Sequence, residues 1–280
     1  IEKMVGRNPA ALFTRREREL GDVLLKVDNM TLPRAGGGYL LNHISFELRE
    51  GEILGFYGLM GAGRSDLVDC LAGARPLATG NIQLKGKPVL ASTISERIEA
   101  GFVLVPEDRQ RHGLVQTLSV MDNMLLASLK KYLRGIFLAR SQEKSATDQQ
   151  IKELSVRVAN PLQPITALSG GNQQKVVVAK GLLTHPKVLL LDEPTRGIDV
   201  GAKSEIFEIM NRLAEQKYGV IFVSSELKEV LAMSDRILVM SKGAITGEFT
   251  HRDATEEKLV EASAIGHGPS NGGNHYAAGK

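Results

Sequence analysis

The sequence predicts an α/β fold with a parallel-stranded core, and three observations carry that prediction. A buried-looking apolar strand, Ile53 to Tyr57, runs straight into a glycine-rich loop and then a helix. In the C-terminal half, the apolar segments Val188 to Leu191, Val220 to Val223 and Ile237 to Met240 alternate with helical stretches, one of them at about Ala202 to Glu215. Strands separated by helices pair in parallel, because each crossover lays its helix on the sheet. Between these two parts, residues from about His112 to Leu168 change character. Val120, Met124, Leu125, Leu129, Leu133, Ile151, Leu154 and Val158 recur at helical spacing, without a strand pattern. This stretch reads as an inserted helical subdomain.

Ahead of the core, Val23, Leu25 and Val27 alternate as one strand and Ile44, Phe46 and Leu48 as another. Gly36, Gly37 and Gly38 form the turn between them, which predicts an antiparallel β region. After the glycine-rich loop a helix is expected from about Ser65, with Leu67, Val68 and Leu71 on one face. A short hairpin follows at about Gly80 to Val89, then a strand at Phe102 to Val105. Residues 1–20 contain Pro9 and the run Arg15, Arg16, Glu17, Arg18, Glu19, in which the two signs are interleaved. They read as a solvated linker from a preceding domain, an expectation reinforced by the start at Ile1. Residues 21–265 are expected to form the folded domain, and the Gly/Ser/Asn-rich stretch from 266 to 280 a disordered tail. The sequence has no internal repeat.

Composition narrows the function classes. Lys+Arg 35 against Asp+Glu 32 leaves +3, too small an excess to argue for a nucleic-acid partner. The single cysteine, Cys70, excludes a disulfide framework and a cysteine-based zinc site. Its six histidines are scattered without ligand spacing. The longest mostly apolar stretch, Ile53 to Gly63, falls far short of the ~18 residues that span a bilayer. The composition predicts a soluble, intracellular globular protein.

Gly58, Leu59, Met60, Gly61, Ala62, Gly63, Arg64 and Ser65 fit the pattern G-x-x-x-x-G-[K/R]-[ST], between a strand and a helix. Such a loop curls so that successive N–H groups point inward at an anion, and the helix after it adds its positive end. Asp66 follows in the same first turn. Ser65 is placed to offer its hydroxyl to Mg²⁺. Arg64 stands where lysine is usual, and a planar fork is not a compact ammonium. Nucleotide binding is expected to be possible but altered.

Val188 to Asp192, then Glu193 and Pro194, is an apolar strand ending in two carboxylates. At the carboxyl end of a parallel strand Asp192 can hold Mg²⁺, and Glu193 can polarise an attacking water as general base.

Leu168, Ser169, Gly170, Gly171, Asn172 and Gln173 start 21 residues before Leu189 and resemble the signature motif of ATP-binding-cassette (ABC) ATPases. There a serine donates to a phosphate oxygen and two glycines let the backbone approach. The resemblance covers about residues 22 to 250. GLMGAGRS, VPEDR, LSGGNQQK, DEPTRGIDVGAK and VSSE with SDRILVMSKG together resemble the second cassette of the two-cassette ATPase subunits of monosaccharide importers, the ribose, galactose and xylose group.

The resemblance implies a P-loop NTPase (RecA-like) core, ATP and Mg²⁺ as ligands, and ATP hydrolysis coupled to sugar transport. It implies as partners a first cassette or a homodimer mate, membrane permease subunits and, indirectly, a periplasmic sugar-binding protein. It implies a peripheral location on the cytoplasmic face of the inner membrane, and no nucleic acid. Gly197, Ile198 and Asp199 stand at the D-loop, which communicates across the cassette dimer, and Val105 to Arg109 at the Q-loop, the lever toward the permease. The signature would act on ATP bound to the opposite cassette.

Three positions depart from the wider pattern. Arg64 replaces lysine, Glu107 replaces the glutamine near Mg²⁺ and the attacking water, and Ser225 replaces the switch histidine at the γ-phosphate. Losing such a donor costs about 3 kcal/mol of transition-state stabilisation in comparable cases. Together they predict a site of reduced activity beside an intact signature. The alternatives are a non-hydrolysing nucleotide-binding module that only donates its signature, and a soluble cassette acting on nucleic acid. The latter lacks the basic arms it would need. Tyr39 is a candidate for stacking on adenine. Cys70 and the eight methionines read as packing residues, and Lys130, Lys131, Arg134 and Arg140 as a solvated basic face.

Overall fold

The computed structural model of the chain describes residues 15–134 and 137–266. Residues 1–14 of the expected linker lie outside the described residues. So does the expected tail beyond Gly266, with His267 and His275.

Strands β1 (Val23–Pro33) and β2 (Tyr39–Arg49) pair antiparallel across the turn that holds Gly36, Gly37 and Gly38, all at positive φ. Alternation decides their faces. Leu25, Val27, Ile44, Phe46 and Leu48 are buried, while the cross-strand pair Lys26 and Glu47 points outward and is bridged at 3.3 Å. Next come the fully buried β3 (Ile53–Gly58) and α1 (Arg64–Leu71). Strands β4 (Thr79–Leu84) and β5 (Lys87–Pro88) complete a four-stranded sheet in the order β2-β1-β4-β5. Helix α2 (Ile94–Ala100) opens with a capping box from Thr93 and Glu96, and β6 (Phe102–Val105) follows it.

The insertion contains a wide helical turn at Arg109–Gly113, α3 (Val120–Leu125) and a tight turn at Leu129–Tyr132. It continues as the two-residue strands β7 (Leu133–Arg134) and β8 (Phe137–Leu138), then α4 (Arg140–Glu153). The expected insertion is therefore present but not purely helical. Leu133, expected on a helix face, sits exposed in the β7–β8 hairpin. Periodicity could not show this, because two residues per strand carry no period.

The chain then alternates α5 (Gly170–Leu182), β9 (Val188–Asp192), α6 (Val200–Glu215), β10 (Gly219–Val223) and α7 (Leu227–Met233). It ends with β11 (Arg236–Ser241), β12 (Ala244–Thr250) and α8 (Glu256–Ala264). The six-stranded sheet runs β12-β11-β3-β10-β9-β6, parallel except for β12 at its edge. Gly58, Asp192 and Val223 consequently lie together at the carboxyl ends of neighbouring parallel strands, where ligands of open α/β sheets bind. In β9, Leu189 and Leu191 join the core shared with α3, α5 and α6. Val188 and Leu190 join the core under α1 and the antiparallel sheet. No helix among the described residues is long and apolar enough to cross a membrane.

Two surface expectations change. Arg15 and Arg18 are not solvated: Arg15 Nη1 lies 2.8 Å from Asp235 Oδ1 and Arg18 Nε 3.4 Å from Asp235 Oδ2. Asp235 also accepts from the Ile53 amide at 2.8 Å, which ties this segment to the start of β3. Charge patterning along the chain cannot show a partner about 220 residues away. Met60 is 98% exposed, unlike the buried Met30, Met124, Met210, Met233 and Met240. In the basic stretch, Lys130 pairs with Glu99 at 3.1 Å and Arg140 with Glu143 at 3.2 Å.

Candidate active site

The glycine-rich loop owes its shape to space as well as to φ. A Cβ on Gly58 would sit 2.4 Å from the Met240 carbonyl oxygen. One on Gly63, at φ 96°, would sit 2.8 Å from that of Leu40. No L side chain fits either place. Ala62 is buried, and its carbonyl accepts from the Gly243 amide at 3.0 Å, which anchors the loop to the β11–β12 turn. Leu59 and Met60 form the exposed tip. Arg64 opens α1, so the first-turn amides, including those of Ser65 and Asp66, have no intrahelical acceptor and face the loop's end of the helix. The Asp66 carboxylate is turned to Arg75 at 2.9 Å.

Opposite this helix end stand the two carboxylates. Asp192 Oδ1 accepts from the Ser65 hydroxyl at 3.2 Å. Burial pushes the Asp192 carboxyl up to about 6, with the bond from Ser65 opposing the shift. Two hard oxygen donors side by side at the mouth of an anion cradle, one desolvated and in want of a cation, are the donor set that Mg²⁺ takes. The residues fit that ion.

Glu193 sits at φ 45°, a left-handed conformation unusual for a side-chain-bearing residue and costing about 1–3 kcal/mol. Its amide donates to the Val223 carbonyl at 2.9 Å, pinning the strained residue between the ends of β9 and β10. Its carboxylate accepts from Arg64 Nη1 at 3.3 Å and from the Ser225 hydroxyl at 3.2 Å. Arg64, Ser65, Asp192, Glu193 and Ser225 therefore form one constellation. Glu107 is not joined to it: its carboxylate pairs with the Arg196 guanidinium. Tyr39 is half-exposed at the start of β2, its ring 5.9 Å from that of His43.

The signature residues divide into two groups. Ser169 is the N-cap of α5 but its hydroxyl accepts no backbone amide of the helix; the Asn172 side-chain nitrogen donates to it at 3.0 Å. Leu168 is buried, and the buried Gln173 donates to the carbonyls of Ile165 and Leu168 at 3.4 and 3.3 Å. Both glycines are also crowded from within the chain. A Cβ on Gly171 would lie 2.5 Å from that of Ala202, where α5 and α6 meet, and one on Gly170 would lie 2.7 Å from Arg109 Nη2. In the D-loop, Gly197 has φ 69°, Ile198 packs on the core and Asp199 caps α6 by accepting from the Ala202 amide at 3.0 Å.

Sequence reasoning missed a buried hub behind the site. Glu229 in α7 accepts from Thr195 at 2.7 Å, from Ser224 at 2.9 Å and from Lys203 at 2.8 Å. It thereby ties the segments after Glu193, before Ser225 and after Asp199 together. The available signal was an acidic residue on the apolar face of α7, which a buried position makes costly unless partnered.

The family profile described as ABC transporter matches residues 41–196, more than half of the chain. The chain belongs to the ABC transporter family. It is 43% identical over 267 residues to a putative ribose/galactose/methyl galactoside import ATP-binding protein of Rhizobium etli, covering 95% of this chain and 50% of that protein. It is 45% identical over 270 residues to a xylose import ATP-binding protein of Pseudomonas savastanoi, covering 95% and 52%. The chain thus spans about half the length of these curated relatives. Solved ABC cassettes share the fold. The ADP conformation of one aligns with a TM-score of 0.74 at 22% identity, over 88% of this chain and 99% of that one. A nucleotide-free cassette aligns at 0.74 and 21%, over 86% and 98%.

Proposed function

We propose that this ABC chain is the second ATP-binding cassette of a monosaccharide import ATPase, hydrolysing ATP to drive transport. Residues 21–265 would be the cassette, with the insertion at about 112–168, and residues 1–20 its connection to a preceding cassette. The observation that carries the reading is the constellation at the carboxyl ends of the parallel strands. Ser65 and Asp192 are joined at 3.2 Å, and Glu193 stands beside them, held by Arg64 and Ser225.

In this reading the loop Gly58–Gly63 and the first-turn amides of α1, with Arg64, bind and orient the triphosphate. Ser65 and Asp192 would hold Mg²⁺, which supplies neutralisation of phosphate charge when bound. Glu193 accepts the proton of a water aligned with the γ-phosphate, and Ser225 orients the Glu193 carboxylate. Arg64 must leave Glu193 to serve a phosphate, and Ser225 replaces a charged or ring donor with a hydroxyl. Both support a site of reduced turnover. Leu168 to Gln173 and the D-loop residues Gly197, Ile198 and Asp199 would complete a site on the other cassette.

The sugar class rests on the relatives, which are import ATP-binding proteins for ribose, galactose or xylose. Permease subunits at the cytoplasmic face of the membrane, and through them an external sugar-binding protein, are the partners this reading requires. The Arg64–Glu193 pair favours a second reading, a nucleotide-binding module that lends its signature without turning over. Calorimetry with Mg-ATP on this chain and on Arg64→Lys tests the proposal. Micromolar binding to the parent, tighter in the variant, is expected. Absence of binding to both overturns it, and binding without any phosphate release selects the second reading.

A further inference from the structure

Arg109 is not used by the mechanism above, yet its side chain touches two of the elements a cassette presents to its partner. Nη1 donates to the Arg196 carbonyl at 3.0 Å and Nη2 to the Gly197 carbonyl at 3.2 Å. Those carbonyls belong to the loop between Glu193 and α6. On its other side the guanidinium occupies the space that a Cβ of Gly170, the first residue of α5, would need: Nη2 would be 2.7 Å away. A second pin lies two residues earlier, where Glu107 pairs with the Arg196 guanidinium. Burial lowers the proton affinity of the Arg109 guanidinium, and its Nε has no hydrogen-bond partner. The two carbonyls are therefore the polar partners that hold the fork in place. A planar fork can serve two carbonyls at a fixed angle; an ammonium cannot.

We propose that Arg109 is a positioning residue that fixes the D-loop against the first turn of the signature helix. The segment 107–109, the loop at Arg196 and Gly197 and the start of α5 then move as one body. A side chain at Gly170 would require the fork to shift, because its Cβ would lie 2.7 Å from Arg109 Nη2. The clamp itself stands on the contacts within this chain. Its consequence for catalysis rests on the ABC cassette reading above.

The test is a double-mutant cycle on the whole chain with Arg109→Ala, Gly170→Ala and the pair, read by thermal unfolding and by hydrogen exchange. Gly170→Ala is expected to lower the melting midpoint in the parent and far less in the Arg109→Ala background, where the clash is gone. Exchange is expected to accelerate in segments 194–202 and 168–174 of Arg109→Ala and Arg109→Lys, with β3 and the phosphate loop unchanged. Equal midpoint losses in both backgrounds, or exchange that is unchanged or raised uniformly, overturn the clamp. In steady-state hydrolysis Arg109→Ala should lower kcat on the order of tenfold to a hundredfold with KM for ATP little changed, as misplacement of a remote element does. A KM rise at unchanged kcat counts against the positioning role. A parent chain without hydrolysis defeats the functional reading alone, because melting and exchange still decide the clamp.

Discussion

Arg64 and Glu193 face one another at 3.3 Å, each side chain only 10% exposed. Arg64, in the proposed phosphate loop, and Glu193, the carboxylate proposed to activate water, thus neutralise each other. On the proposed reading, a triphosphate that engages Arg64 would exchange the carboxylate for phosphate oxygens around the guanidinium. That exchange is a cost that a lysine, with its point charge and different reach, would distribute differently.

Replacing the carboxylate by its amide separates the two effects. Glu193→Gln should bind Mg-ATP more tightly than the parent, because Arg64 is released, while phosphate release falls by about 10²–10⁴-fold with the general base gone. Calorimetry and a phosphate-release assay on the same preparation check this. Weaker binding together with unchanged release would remove Glu193 from the proposed role.

Ser225 donates to the other oxygen of the same carboxylate at 3.2 Å. A histidine at this position would add a donor long enough to reach developing charge on the γ-phosphate as well. Ser225→His should therefore raise kcat on the order of 10²-fold, the usual size of one well-placed donor. If the rate stays at the parent's level, the slow step lies elsewhere in this site, with Arg64 the first candidate.

Much of this arrangement was legible in the sequence, because it depends on local order. The strand before Gly58, the helix from Arg64 and the apolar strand into Asp192 and Glu193 each carry their own signal in spacing and composition. What was not legible depends on partners far apart in the chain. Arg15 and Arg18 look like a solvated run until Asp235 is placed beside them. That Arg109 and Ala202 also crowd the Cβ positions of Gly170 and Gly171 shows only once the chain is folded. The pairing of Glu107 with Arg196, 89 positions on, could not be read from the chain either. The β7–β8 hairpin is too short for any period to register.

Cys70 offers a prediction independent of nucleotide. It is buried in α1, and burial pushes its thiol up to about 12. The folded chain therefore keeps a neutral, shielded thiol at pH 8, and a thiol reagent such as Ellman's should label it only after denaturant is added. The linkage has a definite sign. The folded pKa lies above the unfolded value near 8.5, so the contribution is fully present below that value. It declines as pH rises from there toward 12. Unfolding midpoints in urea should fall over that interval in the parent and fall less in Cys70→Ala. Rapid labelling of the native chain at pH 8 would contradict the burial argument.

The segment before β1 supplies the last prediction, a contrast between two kinds of ion pair. Asp235, with 5% of its side chain exposed, is met by Arg15 at 2.8 Å and Arg18 at 3.4 Å. The Ile53 amide bonds it as well, at 2.8 Å. Removing that carboxylate takes the buried counter-charge from two cations, with Arg18 left only its bonds to Asn211, and leaves a backbone donor unpaired. Asp235→Ala should cost about 3–5 kcal/mol, the usual consequence of breaking a buried pair from one side. Arg16 makes contacts of similar length, 2.6 Å to Glu208 and 3.0 Å to Glu215, but all three side chains are more than 40% exposed. Water and salt screen those pairs, so Arg16→Ala should cost less than about 1 kcal/mol despite the similar distances. Urea unfolding of the two variants checks the order. A larger loss for Arg16→Ala would mean that the segment is held by its surface pairs, and that Asp235 serves only to cap the start of β3.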